Sequence, residues 1–261
     1  MTVERLQKIL AQRGVAARRQ AEALIRAGQV WVNGQPACIG QKCDPDVDHI
    51  LVQGRPLPPP PRLFYYLLHK PVGVISTCSD PQGRPTVRDF LPPGLPPLYP
   101  VGRLDQDTSG ALLLTNDGNL ALALTHPRHL VWKQYWVWVA GHPPERVLTQ
   151  WRQGVMLDGQ RTLPAQVCVL QSLSDQTLLE VRLREGRNRQ IRRVAAQLGY
   201  PVMRLHRRAI GEIKLGNLPV GAIRPLTKAE LAFCRQVQAQ VSALAHTKLI
   251  KIGGNRRIHL G

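Results

Sequence analysis

The sequence predicts an α+β protein of two unequal parts, on three observations. Two short helical patterns near the amino terminus are each closed by a glycine, and a strand with an Asn-Gly turn follows them. The proline tract Pro58 to Pro61 can continue neither a helix nor a central strand, and marks a stiff spacer. Beyond it, strand-like and helix-like apolar periods both occur in a stretch long enough for one further domain. The expected organisation is a small domain over residues 1–56, a linker over 57–63, a larger domain over 64–247 and a basic tail over 248–261.

Taken in order, Leu6, Ile9 and Leu10 share one face of a first helix that Gly14 can end. Ala21, Leu24 and Ile25 form the inner face of a second helix, with Gly28 as its stop. Val30-Trp31-Val32 reads as a strand, Asn33-Gly34 as a hairpin turn, and Ile50-Leu51-Val52 as a further strand. Lys8, Arg13, Arg18, Arg19 and Arg26 lie on or beside the two helices, and few acidic residues interleave with them. That imbalance favours a binding face over an ordinary solvated one. The tail carries Lys248, Lys251, Arg256 and Arg257 among glycines.

Charge narrows the partner class. Lys and Arg outnumber Asp and Glu by 35 to 17, a net +18, so polyanions are favoured through phosphate neutralisation and counterion release. The basic residues do not gather on one long amphipathic helix, which argues against a membrane surface. With aromatics at only 5%, folded nucleic acid is a better partner than a stacked single strand. No apolar run is long enough to span a bilayer, and the start of the chain lacks the pattern of a secretory signal. The cysteines, Cys38, Cys43, Cys78, Cys168 and Cys234, are scattered and complete no zinc pattern, so a cytoplasmic protein without metal or cofactor is expected.

Three segments carry candidate chemistry. In the first, Val101 to Gly110, a glycine-bounded polar loop holds Arg103, Asp105, Asp107 and Ser109, then feeds the apolar strand Ala111 to Leu114 and the turn Asn116-Asp117-Gly118. A carboxylate at the end of a rigid element suits a site, although Arg103 and Asp105 also fit a plain loop ion pair. The second, Lys133-Gln134-Tyr135, opens a strand with Tyr135, Val137 and Val139 on one face and Trp136 and Trp138 on the other. The third, Glu185 to Arg193, leads into a helix that Asn188 can cap and Gly199 can end, with Ile191, Val194, Ala195 and Leu198 inward. Free backbone N–H groups and Arg187, Arg189, Arg192 and Arg193 make that first turn suited to an anion.

These segments carry two family resemblances. RLQKILAQRGVAARRQAEALIRAGQVWVNG resembles the S-four (αL-type) RNA-binding domain, with Ala17 where that family usually has a helix-capping Ser. VGRLDQDTSGALLLTNDG, with the preceding LHKPVGVISTCSDPQGRPTVRDFLP, is similar to the RsuA-like pseudouridine synthases over about Leu67 to Lys228. The resemblance implies a catalytic domain with a mixed, mainly antiparallel sheet and flanking helices. It implies isomerisation of uridine in ribosomal RNA with Asp105 as the catalytic carboxylate, Tyr135 packed on the target base and Arg192 paired with Asp105, Arg189 being the alternative. It also implies that Arg103 fills the space left by the flipped base, with Lys133, Arg187, Asn188, Arg189, Gln190 and Ile191 around the substrate. Asn188 and Arg189-Gln190 in the third segment resemble the RluB branch, which acts on large-subunit rRNA; small-subunit rRNA is the main alternative. A monomer is expected. Two other classes are weighed beside this one. A non-catalytic ribosome-assembly factor would leave Asp105, Tyr135 and Arg192 unexplained, and a base-removing enzyme would release free uracil.

Overall fold

The structure is a computed structural model that describes residues 3–253, with the side chains of Pro127, Ser242 and residues 244–253 outside the description. The chain divides into two units between Leu63 and Phe64.

In the first unit, α1 (Leu6–Gln12) and α2 (Arg18–Arg26) pack through Leu6, Ile9, Leu10, Ala21 and Ile25, all buried. Ala17 has no side-chain oxygen to cap α2, and only the return half of a capping box forms: Gln20 Oε1 accepts from Ala17 N–H at 3.3 Å. Strands β1 (Val30–Val32) and β2 (Ile50–Val52) pair antiparallel and send Val30, Val32, Ile50 and Val52 into the same core. Asn33 and Gly34 both lie at positive φ, as a tight hairpin turn after β1 requires. Arg18, Arg19 and Arg26 stand exposed, whereas Lys8 is bound in an i,i+4 pair to Glu4.

The second unit is built on a sheet whose main path runs β6–β7–β5–β8–β4–β3–β9. These strands are β3 (Tyr65–Lys70), β4 (Thr108–Thr115), β5 (Lys133–Ala140), β6 (Gln166–Ser172), β7 (Gln176–Leu183), β8 (Val202–Ile210) and β9 (Ile223–Pro225). Along that path every pairing is antiparallel except β8 with β4. The mixed, mainly antiparallel sheet is therefore as expected. The helices of this unit are α3 (Gly118–Thr125), α4 (Glu145–Gln153), α5 (Gln190–Gln197) and α6 (Lys228–Gly253).

All eight residues of β4 are buried, which explains its unbroken apolar reading. Ala111 and Leu113 meet α3 and α6 on one face, and Leu112 and Leu114 meet Val74, Val87, Leu98 and Leu104 on the other. Further along the sheet, Val137, Val139, Leu179, Val181 and Leu205 are covered by α4 and α5. Trp136 and Trp138 lie on the opposite face, where Arg208 and Arg204 stack over their rings. The alternation read in 135–139 thus has its two faces as expected.

Gly110 marks the tightest crossing. Its φ is +115°, and a Cβ there would stand 2.2 Å from the carbonyl oxygen of Arg207 on the parallel neighbour β8. Only glycine lets β4 and β8 approach so closely.

Two local expectations are corrected. Asn188 does not cap α5: Arg189 occupies the cap position in the left-handed region with φ 47°, and Gln190 Oε1 instead accepts from Arg187 N–H at 3.1 Å. The backbone from Lys248 to Gly253 continues α6 rather than starting a tail, because no helix breaker precedes Gly253. The remaining tail residues, Arg256 and Arg257 among them, lie outside the described residues.

Candidate active site

A cleft of about 350 Å³ opens in the second unit where the loop before β4, the start of β5, the middle of β8 and the segment before α5 converge. Asp105, Arg103, Lys133, Tyr135, Arg187, Asn188, Arg189, Gln190 and Ile191 all line it. Three segments far apart in sequence are brought together because β7 pairs with β5, β5 with β8 and β8 with β4, which sets their ends side by side.

The carboxylate of Asp105 is about one-third exposed, while its backbone is held from below. Lys70, fully buried at the end of β3, donates from Nζ to the carbonyls of Asp105 (3.1 Å), Thr108 (2.8 Å) and Pro71 (2.9 Å). Burial brings the Lys70 ammonium down to about 8, against the opposing pull of Asp105 and Asp107. One residue before Asp105, Leu104 is clamped by Ser76, whose Oγ accepts from Leu104 N–H at 3.0 Å and donates to its carbonyl at 2.8 Å. Gly73 N–H donates to Gln106 O at 2.8 Å on the other side. Each loop residue around the carboxylate is thus anchored to the strand or loop beneath it.

The ion pair differs from the expected one. Arg189 Nη1 lies 3.4 Å from Asp105 Oδ2, and its Nη2 donates to Asp107 Oδ2 at 2.9 Å. Arg192, expected on Asp105, donates from Nη2 to the backbone carbonyl of Asp107 at 2.8 Å and from Nη1 to Val202 O at 3.3 Å. Its Nε stands 3.3 Å from Asp107 Oδ2, an ionic contact without hydrogen-bond alignment. The reason is local geometry: Arg189 leaves a left-handed turn, whereas the Arg192 side chain leans back along α5 toward Asp107. Burial works to raise the Asp107 carboxyl, but the hydrogen bond from Arg189 and the charges of both arginines hold it below the usual range. Arg103 is exposed and makes no ion pair among the described residues, so the plain Arg103–Asp105 loop pair does not form.

Tyr135 is partly buried between two cores, beside Ile191, which is 5% exposed. Arg187 and Gln190 border the cleft with their polar atoms already used. Arg187 binds Glu185 and the carbonyls of Gln160 (3.0 Å) and Arg161 (2.7 Å), and Gln190 Nε2 donates to Glu185 at 2.8 Å. These two residues brace the loop before α5. Asn188 is exposed at the cleft, and Lys133 makes no ion pair there among the described residues.

Sequence reasoning missed the supporting roles of Lys70 and Ser76, and that of Arg207, whose Nε donates to the Ala111 carbonyl at 2.7 Å. Lys70 stood out in the sequence through its place in the family-like string LHKPVGV, which gives its position but not its anchoring role. Arg207 differs from its neighbour Arg208 in nothing but strand parity.

Among the described residues no cluster of three or more His, Cys, Asp or Glu side chains is placed to hold a metal ion, and no helix is long and apolar enough to cross a membrane. Residues 64–197 match the RNA pseudouridylate synthase family model, and residues 4–47 match the S4 domain. The chain is 40% identical over 232 residues to ribosomal large subunit pseudouridine synthase B of Bacillus subtilis (strain 168), covering 88% of this chain and 94% of that protein. It is 37% identical over 243 residues to the protein of the same name from Vibrio cholerae, covering 90% of this chain and 75% of that one. A crystal structure of a pseudouridylate synthase superposes with a TM-score of 0.64 at 32% identity, over 88% of this chain and 99% of that one. With a carboxylate anchored in a cleft beside a tyrosine and an arginine, and these matches along most of its length, the chain belongs to the RNA pseudouridine synthases of the RsuA type and carries an S4 domain.

Proposed function

We propose that this enzyme converts uridine to pseudouridine in large-subunit ribosomal RNA, with Asp105 as the catalytic carboxylate. The observation that carries the reading is the contrast at Asp105 between an anchored backbone and an accessible carboxylate facing Tyr135 and Arg189. Such a group can act at C1′ of a flipped nucleotide without first paying to be ordered.

In the reaction the C1′–N1 bond breaks and its electron pair passes to the uracil. Asp105 either bonds to C1′ or takes a proton from the sugar. The ring turns, and C5 bonds to C1′ as the Asp105–C1′ bond breaks or, on the other route, as the proton taken from the sugar is returned. The proton lost from C5 is balanced by one gained at N1, so the RNA keeps its mass. Tyr135 packs on the base with Ile191 beside it, and Arg189 orients the carboxylate. Arg192 serves indirectly by fixing Asp107 and the loop. Arg103, exposed and unpaired, is available to fill the stack that the uridine leaves. Arg18, Arg19 and Arg26 of the S4 domain supply phosphate contacts.

Two relatives named for the large ribosomal subunit, together with the Asn188-Arg189-Gln190 segment, support that subunit as target. An rRNA substrate is consistent with the cytoplasm, and the enzyme is proposed to act there as a monomer.

Asp105→Asn keeps the side chain's size and removes its charge and its use as nucleophile or base. The expected result is folded protein that binds rRNA fragments and forms essentially no pseudouridine in single turnover. Appreciable turnover by well-folded Asp105→Asn would overturn the mechanism. Mapping pseudouridines in both ribosomal subunits from cells with and without the gene tests the target, and a site lost only from small-subunit rRNA would reject the subunit assignment.

A further inference from the structure

We infer that Arg207 and Lys133 form an oxyanion subsite in the cleft that holds a carbonyl oxygen of the detached uracil and stabilises its negative charge. This rests on the reaction proposed above and assigns a second charge-handling group to it, opposite in sign to Asp105.

Arg207 is 5% exposed and lines the cleft. Its Nε donates to the Ala111 carbonyl at 2.7 Å, while its Nη2 is buried without any hydrogen-bond partner. A buried guanidinium N–H left unmade is costly and calls for an explanation, and here it coincides with the lining of the cleft. Strand register puts Arg207 directly opposite Tyr135. Cross-strand partners project on the same side of a sheet, so the guanidinium shares the face on which Tyr135 packs the base. Lys133 lies two residues before Tyr135, on that same face, and also lines the cleft.

No carboxylate stands within ion-pair distance of either cation among the described residues, whereas Arg189, which also lines the cleft, and Arg192, which does not, are both engaged by Asp107. Burial first, and the Arg207 charge second, bring the Lys133 ammonium down to about 8, which fits a site short of its anion.

The chemistry needs such a group. When the C1′–N1 bond breaks, its electron pair leaves with the uracil and spreads over N1 and the ring carbonyl oxygens. The charge is gone again once C5 has joined C1′ and the proton from C5 has been made up at N1. An N–H donor fixed in place before the reaction stabilises that transient anion without reorganisation. A backbone phosphate is the poorer occupant, because it stays tethered on both sides and Arg207 is almost fully covered.

The test uses the full-length enzyme and rRNA fragments carrying uridine or 5-fluorouridine at the target, in single turnover, with consumption of the target nucleoside measured after digestion. Fluorine stabilises the uracil anion, so the fluorinated base needs less help from the protein. Lys133→Met and Arg207→Gln are expected to slow uridine consumption about 100-fold with RNA affinity within about twofold, and the defect is expected to shrink to about tenfold or less with 5-fluorouridine. The Lys133 side chain makes no hydrogen bond to the sheet among the described residues, and Lys133→Met keeps the backbone pairing, so it carries the test if Arg207→Gln folds poorly. Equal slowing on both substrates would overturn the inference in favour of a structural role, and so would an unchanged rate. Weakened affinity with a flatter salt dependence and an intact rate would assign the cations to RNA phosphate instead. Absence of turnover by the unaltered enzyme would reject the proposed reaction itself, a result distinct from any of these.

Discussion

The basic face of the S4 domain and the catalytic cleft hold the same kind of residue in opposite states. Arg18, Arg19 and Arg26 project from α2 into solvent without an acidic partner among the described residues. At the cleft and the start of α5, Arg187, Arg189 and Arg192 are each bound by a carboxylate, a backbone carbonyl, or both. The first arrangement suits attraction of a polyanion by charge, which tolerates small errors of position. The second spends its arginines on holding a loop in one place. Phosphate attraction is long-ranged and forgiving, whereas a reacting carboxylate must be placed to within a fraction of an ångström.

The sharpest way to break the rigid region is at Gly110. Gly110→Ala sets a Cβ against the Arg207 carbonyl at a φ of +115°. The β4–β8 pairing would have to open, and the protein is expected to be insoluble or to lose well over 3 kcal/mol of stability. Thermal unfolding checks this, and a Tm within a few degrees of the parent would show that the crossing is not under tension.

Arg189 and Arg192 divide the cleft's ion-pair network more finely. Arg189→Leu removes the cation nearest Asp105 and is expected to lower the single-turnover rate roughly 10- to 100-fold with little change in RNA affinity. Arg192→Leu, acting through Asp107, should cost less in rate, and its loss should largely vanish in an Asp107→Asn background. A larger rate loss for Arg192→Leu would restore the pairing expected from sequence.

The back of the sheet offers a pH-dependent comparison. Burial first, then the charges of His69, Arg208 and Arg204, lower His206 from 6.5 to about 4. A histidine with a depressed folded-state pKa binds fewer protons folded than unfolded between those values. Its stabilising contribution is therefore present above pH 6.5 and lost as pH falls toward 4. The expected loss is on the order of 2–3 kcal/mol. His206→Gln, which leaves Ser109 a hydrogen-bonding partner, should flatten the Tm profile in that window, and an unchanged slope would reject the assignment.

The smallest effect belongs to the open face. Changing Arg18, Arg19 and Arg26 together to Ala should leave stability nearly unaltered and the rate of bound complex unchanged. The RNA affinity should fall, and the slope of log K against log salt should drop by about 2 to 3. An unaltered salt slope would remove this face from the RNA contact.

Much of this molecule was legible in one dimension. The helix faces at Leu6, Ile9 and Leu10, the Asn33-Gly34 turn and the two faces of 135–139 follow from periods and backbone preferences that act over a few residues. Asp105 and Tyr135 were proposed from motif strings through family resemblance, whereas the groups that anchor the Asp105 loop lie far from it in sequence. The identity of the arginine on Asp105 was not legible. Arg189 and Arg192 differ by one turn of chain, and the left-handed backbone at Arg189 decides which reaches the loop. The roles of Lys70, Ser76 and Arg207 were equally silent, since each residue acts on a segment more than 25 residues away. The sequence by itself determined the helix faces and the turn of the first unit, the basic character and, through family resemblance, the candidate carboxylate. Only the tertiary structure decided which charges are paired and which N–H is left open. Pairing depends on strand register across β3, β4, β5 and β8, and register is settled by packing of the whole sheet rather than by any local run.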